Sequence, residues 1–252
     1  MGITFLLGAC GMQFNKTSEL DSLLDFGTVK EPKKDSSSTT HIKDPIKSVT
    51  STHYGIDISH FQGDLMKMYT SKGGMSYVIC KATQGNYFVD PDFRSNWNEI
   101  REHGLIRGAY HFYDCKIDPE VQALFFATHA SDINSTDIAP ILDIEQGSMT
   151  KAVSGAQMET DILVFLKTVE KKFDRKPILY TDYAFAQEYL KNPEFANYDL
   201  WLAEYSGNTQ PRVPDLWKEK GYKIWQKSSS YHLESERVDL DIYEGILSQL
   251  IK

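Results

Sequence analysis

From residue 53 onward, short runs rich in β-branched and aromatic residues alternate with segments of helical period. This alternation narrows the fold more than any other property of the chain. Strands are expected at 54–58, 77–82, 105–112, 138–144, 177–181, 199–203, 223–226 and 238–242. Helices are expected between the early ones. The segment 92–103 follows Pro91, 118–131 carries Pro119 in its first turn, 154–172 sets Val164, Phe165, Leu166 and Val169 at helical spacing, and 183–191 is shorter. Strand–helix alternation implies an α/β fold with a parallel sheet, and eight strands in such a length imply a barrel rather than an open sheet. After Lys191 the helical pattern stops. The last strands are expected to be joined by loops holding Pro211, Pro214, Gly221 and the run Ser228-Ser229-Ser230. The expectation is therefore an irregular TIM-like barrel of eight strands with the last helices missing. No internal repeat stands out.

The barrel domain is assigned to 53–252, preceded by a different texture. Residues 11–52 include Glu31-Pro32-Lys33-Lys34-Asp35-Ser36-Ser37-Ser38-Thr39-Thr40, too polar to bury a core, and read as a flexible linker. Residues 1–10 contain a short apolar run ending in Leu7-Gly8-Ala9-Cys10. Small residues directly before a Cys are similar to a bacterial lipobox, which makes 1–10 a lipoprotein signal segment with Cys10 as the lipidated residue. No stretch reaches the roughly 18 apolar residues of a membrane span, so contact with a membrane is expected only through that lipid. Cys80 and Cys115 remain, too few for a disulfide framework, although a single bridge between them stays open. The formal net charge of −8, with no sustained basic cluster, argues against a nucleic-acid partner.

The sharpest chemical feature is Pro140-Ile141-Leu142-Asp143-Ile144-Glu145. Alternate residues on a strand share a face, so Asp143 and Glu145 point the same way at the C-terminal end of the fourth strand, the end that carries active sites in such barrels. Two carboxylates held close repel, which raises one pKa and leaves a neutral acid beside an anion, the division of labour that glycoside hydrolysis uses. A lone Asp-x-Glu is weak evidence, because acids at strand ends are common. Asp57 near the end of the first strand and Asp239 and Asp241 in the last converge on the same region. Tyr110, His111, Phe112, Tyr180, Trp201, Tyr205 and Trp225 cluster at strand ends. Taken singly, each ring reads as core, and His111 as a hydrogen-bonded structural histidine.

Several motifs stand in order: Gly55-Ile56-Asp57-Ile58-Ser59-His60-Phe61-Gln62-Gly63, Lys81-Ala82-Thr83-Gln84-Gly85, Gly108-Ala109-Tyr110-His111-Phe112 and Leu142-Asp143-Ile144-Glu145. Pro177-Ile178-Leu179-Tyr180-Thr181, Leu200-Trp201-Leu202-Ala203-Glu204-Tyr205, Trp225-Gln226 and Val238-Asp239 follow. This succession resembles the glycoside hydrolase family 25 lysozymes over most of the chain. The resemblance implies an irregular eight-stranded barrel and hydrolysis of the β-1,4 bond between N-acetylmuramic acid and N-acetylglucosamine in peptidoglycan, with no metal and no other cofactor. It implies Glu145 as general acid, with Asp143 assisting at the anomeric carbon either directly or by orienting the substrate's 2-acetamido group. Asp57 and Asp239 match the family's other two active-site acids. Tyr110, Tyr180, Trp201, Gln226, Tyr205 and Gln84 would contact glycan. Two positions depart from the pattern: Gln84, where Glu is usual, and Phe61, where Trp is frequent. Together with the segment ending in Cys10, the resemblance leads to the expectation of a monomer acting on glycan strands at the cell envelope, lipid-anchored or secreted.

Two other readings compete. A non-catalytic glycan-binding protein on the same fold draws support only from Gln84. A metal-dependent phosphodiesterase wants a second cluster of His and acid ligands that the sequence does not offer. Retaining and inverting chemistry are not separated, since two residues along a strand span about 6.6 Å and side-chain freedom covers both spacings.

Overall fold

The computed structural model describes residues 50–70, 74–149 and 154–252. The expected signal segment, Cys10 and all but the last residues of the expected linker lie outside them. The described chain runs β1 (Ser51–Ile58), α1 (Leu65–Met68), β2 (Tyr77–Gln84), β3 (Phe88–Val89), α2 (Phe93–Glu102), β4 (Ile106–Phe112), α3 (Pro119–His129) and β5 (Ile141–Asp143). It continues through α4 (Gly155–Phe173), β6 (Ile178–Asp182), α5 (Tyr183–Tyr189), β7 (Asp199–Ala203), β8 (Ile224–Leu233), β9 (Glu236–Gly245) and α6 (Leu247–Leu250). Eight strands close into a barrel in the order β1-β2-β4-β5-β6-β7-β8-β9, with β9 pairing back onto β1, while β3 hangs on the end of β2. The expected eight-stranded irregular barrel is the fold observed, and β1 begins two residues ahead of position 53.

Local chemistry accounts for the helices. Asp118 caps α3 by accepting from the N–H groups of Glu120 and Val121, with Pro119 at the first helical position. Ser154 caps α4 through the Gln157 N–H. Met158, Ile162, Phe165, Leu166 and Val169 form the buried stripe of α4.

Strand alternation divides the core in two. Val78, Cys80, Ala82, Ala109, Leu142, Ile144, Leu200 and Leu202 face outward and pack with the helices. Tyr77, Ile79, Ile141, Ile178, Tyr180, Trp201, Ala203 and Ile224 fill the barrel interior. Cys80 and Cys115 are buried and not joined in a disulfide.

Two expectations need correction. The sheet is not wholly parallel: β9 runs antiparallel to both β8 and β1. Only Glu234 and Ser235 separate β8 from β9, and so short a link makes a hairpin, whereas a parallel neighbour needs a crossover of a dozen residues or more. The turn places Glu234 at φ 51°, a left-handed conformation uncommon outside glycine. Ser228-Ser229-Ser230, expected as a loop, lies inside β8, where the register with β9 is broken by irregularities on both sides of Ser228.

Candidate active site

Register assembles the site. Phe112 pairs with Asp143, Asp143 with Tyr180, and Tyr180 with Trp201, so four side chains from β4 to β7 stand in one row around the barrel. Across the closure Asp57 pairs with Asp239, and Gln226 with Asp241. A slip of one residue in any of these pairings would send those side chains to the helix layer instead. The residues meet at the C-terminal end of the parallel strands, in an open cleft of about 720 Å³. It is lined by Asp57, Lys81, Tyr110, Phe112, Asp143, Glu145, Tyr180, Trp201, Gln226 and Asp239, with residues 58, 59, 61 and 62 along one edge.

Glu145 follows β5 in extended conformation, which carries the strand alternation one step past the last ladder pair. A short turn pins it there: its N–H donates to Ser148 Oγ at 3.3 Å, and the Ser148 N–H returns a bond to its carbonyl at 2.9 Å. Gly147 leaves room beside the carboxyl, since a Cβ at that position would come within 3.1 Å of Glu145 Oε1 and 3.2 Å of Phe112 Cζ.

Asp143 is buried and its Oδ1 has no hydrogen-bond partner. Burial pushes its carboxyl well above the usual carboxylate range. Glu145 and Asp57 push the same way, and Lys81 opposes them. Burial also raises Glu145, helped by Asp182 and Asp239 and again opposed by Lys81. Asp239 is pushed up to about 6 by burial. Burial and the neighbouring Asp239 raise Asp57, while the Gln226 hydrogen bond lowers it.

The Gln226 amide is engaged at both its nitrogen and its oxygen. Its Nε2 donates to Asp57 Oδ2 at 2.6 Å, and its Oε1 accepts from the hydroxyls of Tyr180 at 2.9 Å and of Tyr205. Trp201 Nε1 donates to Asp241 Oδ1 at 2.8 Å, which fixes the indole on the cleft wall. Asp241, noted in the sequence for its position alone, is wholly buried, and that burial raises it well above the carboxylate range. Five carboxyls therefore share one region that holds a single ammonium. They cannot all ionise near neutrality, and the set retains protons that isolated carboxyls would have lost. Such a set can donate a proton to a leaving oxygen and still present an anion to developing positive charge.

Of the site residues read from sequence, Glu145, Asp143, Asp57, Asp239, Tyr110, Tyr180, Trp201 and Gln226 line the cleft. Tyr205 and Gln84 do not. Each stands one hydrogen bond behind it, Tyr205 on Gln226 and Gln84 on Lys81 Nζ at 2.8 Å. His111 faces the helix layer, bonded to Thr83 Oγ1 at 2.8 Å and Gln122 Oε1 at 3.1 Å, and burial lowers it to about 3, so it is a neutral structural histidine. Sequence reasoning missed Lys81. The available signal was a lone lysine inside the apolar strand Tyr77-Val78-Ile79-Cys80-Lys81-Ala82, where a buried ammonium is costly unless something holds it. Among the described residues, no group of three or more His, Cys, Asp or Glu side chains is arranged to hold a metal ion.

Known proteins are similar to this chain in sequence and in fold. Lysozyme M1 of Streptomyces globisporus is 30% identical over 212 residues, 80% of this chain and 71% of that protein. The uncharacterized protein YegX of Escherichia coli strain CFT073 is 31% identical over 206 residues, 79% of this chain and 72% of its own. The crystal structure of the bacterial lysozyme from Streptomyces coelicolor superposes with a TM-score of 0.73 at 28% identity, covering 80% of this chain and 96% of that one. The family model described as glycosyl hydrolases family 25 matches residues 56–235, and the chain belongs to that family of glycoside hydrolases.

Proposed function

We propose that the protein is a muramidase that hydrolyses the β-1,4 bond between N-acetylmuramic acid and N-acetylglucosamine in peptidoglycan. Family membership and the lysozyme relatives support the reaction class and the substrate. The observation that carries the residue roles is the Asp143–Glu145 pair: one carboxyl buried at the cleft floor, the other half-buried at its mouth, both raised by burial and by their neighbours.

Glu145 is the more accessible of the two, and burial, with Asp182 and Asp239, makes it hold its proton more tightly than a free carboxyl does. It donates that proton to the departing glycosidic oxygen. Asp143 assists at the anomeric side, and its buried setting keeps water from screening the positive charge that grows on the sugar. Asp57 and Asp239 surround the pair and raise its proton affinity. Tyr110, Tyr180 and Trp201 supply ring faces for the glycan, and the amide of Gln226 fixes Asp57 and Tyr180 for that work. An anchor on Cys10, with residues 11–52 as a spacer, would tether the catalytic body at the envelope. The mass of the mature protein tests this part directly, and a polypeptide without added lipid removes it.

The decisive experiment digests purified peptidoglycan with the full chain and with Glu145→Gln, then weighs the fragments. Fragments ending in reducing N-acetylmuramic acid, lost in the variant, are expected. Fragments ending in reducing N-acetylglucosamine would refute the bond assignment, and undiminished cleavage by the variant would refute the role of Glu145. Wall binding without cleavage by the unaltered chain would favour a binding protein on the same fold.

A further inference from the structure

Lys81 is the one cation among the side chains lining the cleft, and only 8% of it is exposed. A buried ammonium ordinarily sits against a carboxylate. Among the described residues this one does not. Its Nζ donates to the neutral Oε1 of Gln84 at 2.8 Å, and it lies 4.9 Å from the centre of the Phe112 ring and 5.5 Å from that of Phe88. Ring faces favour a positive charge without cancelling it.

The clamp is built by the β2–β3 hairpin. Gly85 turns the chain at φ 53°, where a Cβ would strike the Tyr87 ring at 2.5 Å, and β3 then lays Phe88 opposite Gln84. Gln84 is itself steadied, since its Nε2 donates to the Tyr87 hydroxyl, which in turn donates to Asp114 Oδ2 at 2.9 Å.

We propose that Lys81, held by Gln84 between Phe88 and Phe112, is a positioning residue that sets the ionisation of the Asp143–Glu145 pair. Gln84 matters here because its amide fixes the ammonium and leaves the charge intact. The inference rests on the reading of Glu145 as the acid. The charged groups facing Lys81 are Asp143 at the end of β5, Glu145 just after it and Asp90 just after β3, and Asp90 is itself paired with His60, whose Nδ1 lies 2.7 Å from its Oδ2. His111, on β4, is neutral. Asp143 also faces Asp57 and Asp239, and Glu145 faces Asp182 and Asp239. Among the charged groups acting on Asp143 and Glu145, Lys81 is the one that opposes, and it lowers both members of the pair. Neutralising it must therefore raise both.

The test follows the carboxyl carbons of Asp and Glu by ¹³C NMR across pH in the full chain, in Gln84→Glu and in Lys81→Met. Asp143→Asn and Glu145→Gln identify the two signals. Gln84→Glu keeps the shape and pairs the ammonium with a carboxylate, and it serves even if Lys81→Met does not fold. Both midpoints are expected to rise by on the order of one pH unit, and both limbs of the pH–rate curve on solubilised peptidoglycan are expected to move up with them. Unmoved midpoints in folded Gln84→Glu would overturn the proposal. Midpoints that rise beneath an unmoved rate curve would uphold the lysine's part and overturn Glu145 as the acid.

Discussion

Replacing Asp239 by Asn should make the protein more stable at neutral pH and not in acid. Asp239 titrates near 3.8 when unfolded and at about 6 in the folded chain, because burial disfavours its charge. Below pH 3.8 both states hold the proton and the group is neutral toward stability. Between 3.8 and 6 the unfolded chain has released the proton and the folded one has not, so stability falls as pH rises. Above 6 both are ionised and the loss is complete. The rise from 3.8 to about 6 corresponds to about 3 kcal/mol. Asparagine keeps the shape and removes the charge, so Asp239→Asn should gain up to about 3 kcal/mol at pH 8. For a barrel of this size that is roughly 6 to 12 °C in Tm. At pH 4 the two proteins should unfold alike, and activity should drop sharply at either pH. Urea unfolding at both pH values measures it. A variant no more stable than the parent at pH 8, or stabilised equally at pH 4, would refute the view that the fold holds Asp239 against the cost of burying its charge.

Phe61 is 79% exposed at the cleft edge, so Phe61→Ala should change stability by less than about 0.5 kcal/mol. If the ring serves as a platform for glycan, the variant should raise KM on long strands several-fold with kcat nearly unchanged, and equal KM values would dismiss that role. His111, lowered to about 3 by burial, stays neutral in the folded chain while the unfolded chain takes up a proton below about 6.5. Its contribution to stability is therefore lost as pH falls through that window, the opposite sign to Asp239. His111→Gln should flatten the acid side of the unfolding curve, at a cost of about 1–3 kcal/mol at pH 8 from the Thr83 and Gln122 bonds it remakes poorly. An unchanged acid side in thermal scans would argue against a buried neutral imidazole.

Much of this architecture was legible in the residues. Strands that read as β-rich apolar runs, such as Tyr77–Gln84, and helices with a cap and a stripe, such as Gly155–Phe173, stand where pattern and capping chemistry put them. Asp143 and Glu145 fall on one side for the reason alternation gives. What escaped were features that long-range packing decides. The strand Phe88–Val89 is too short to carry a period, and its position depends on the Gly85 turn and on Lys81. The β8–β9 turn, Glu234-Ser235, has no Gly, Asn or Pro to announce it, so the reversal of β9 and the absorption of Ser228–Ser230 into β8 left no local trace. Gln84 and Tyr205 were read as glycan contacts from resemblance alone, and only the distances place each behind another side chain. The bond from Trp201 to Asp241 joins residues 40 apart in sequence that no spacing rule connects.

The pairing of Asp57 with Asp239 carries a consequence for synthesis. The first barrel strand leaves the ribosome with four of the site's five acids still to be made, and it waits, unpaired on one edge, for the penultimate element of the chain. Contacts of that separation form late and slowly. No partial chain holds a working cleft, so cutting power arrives all at once, when the last strand closes the ring. A nick or deletion that costs β9 should extinguish activity outright rather than erode it.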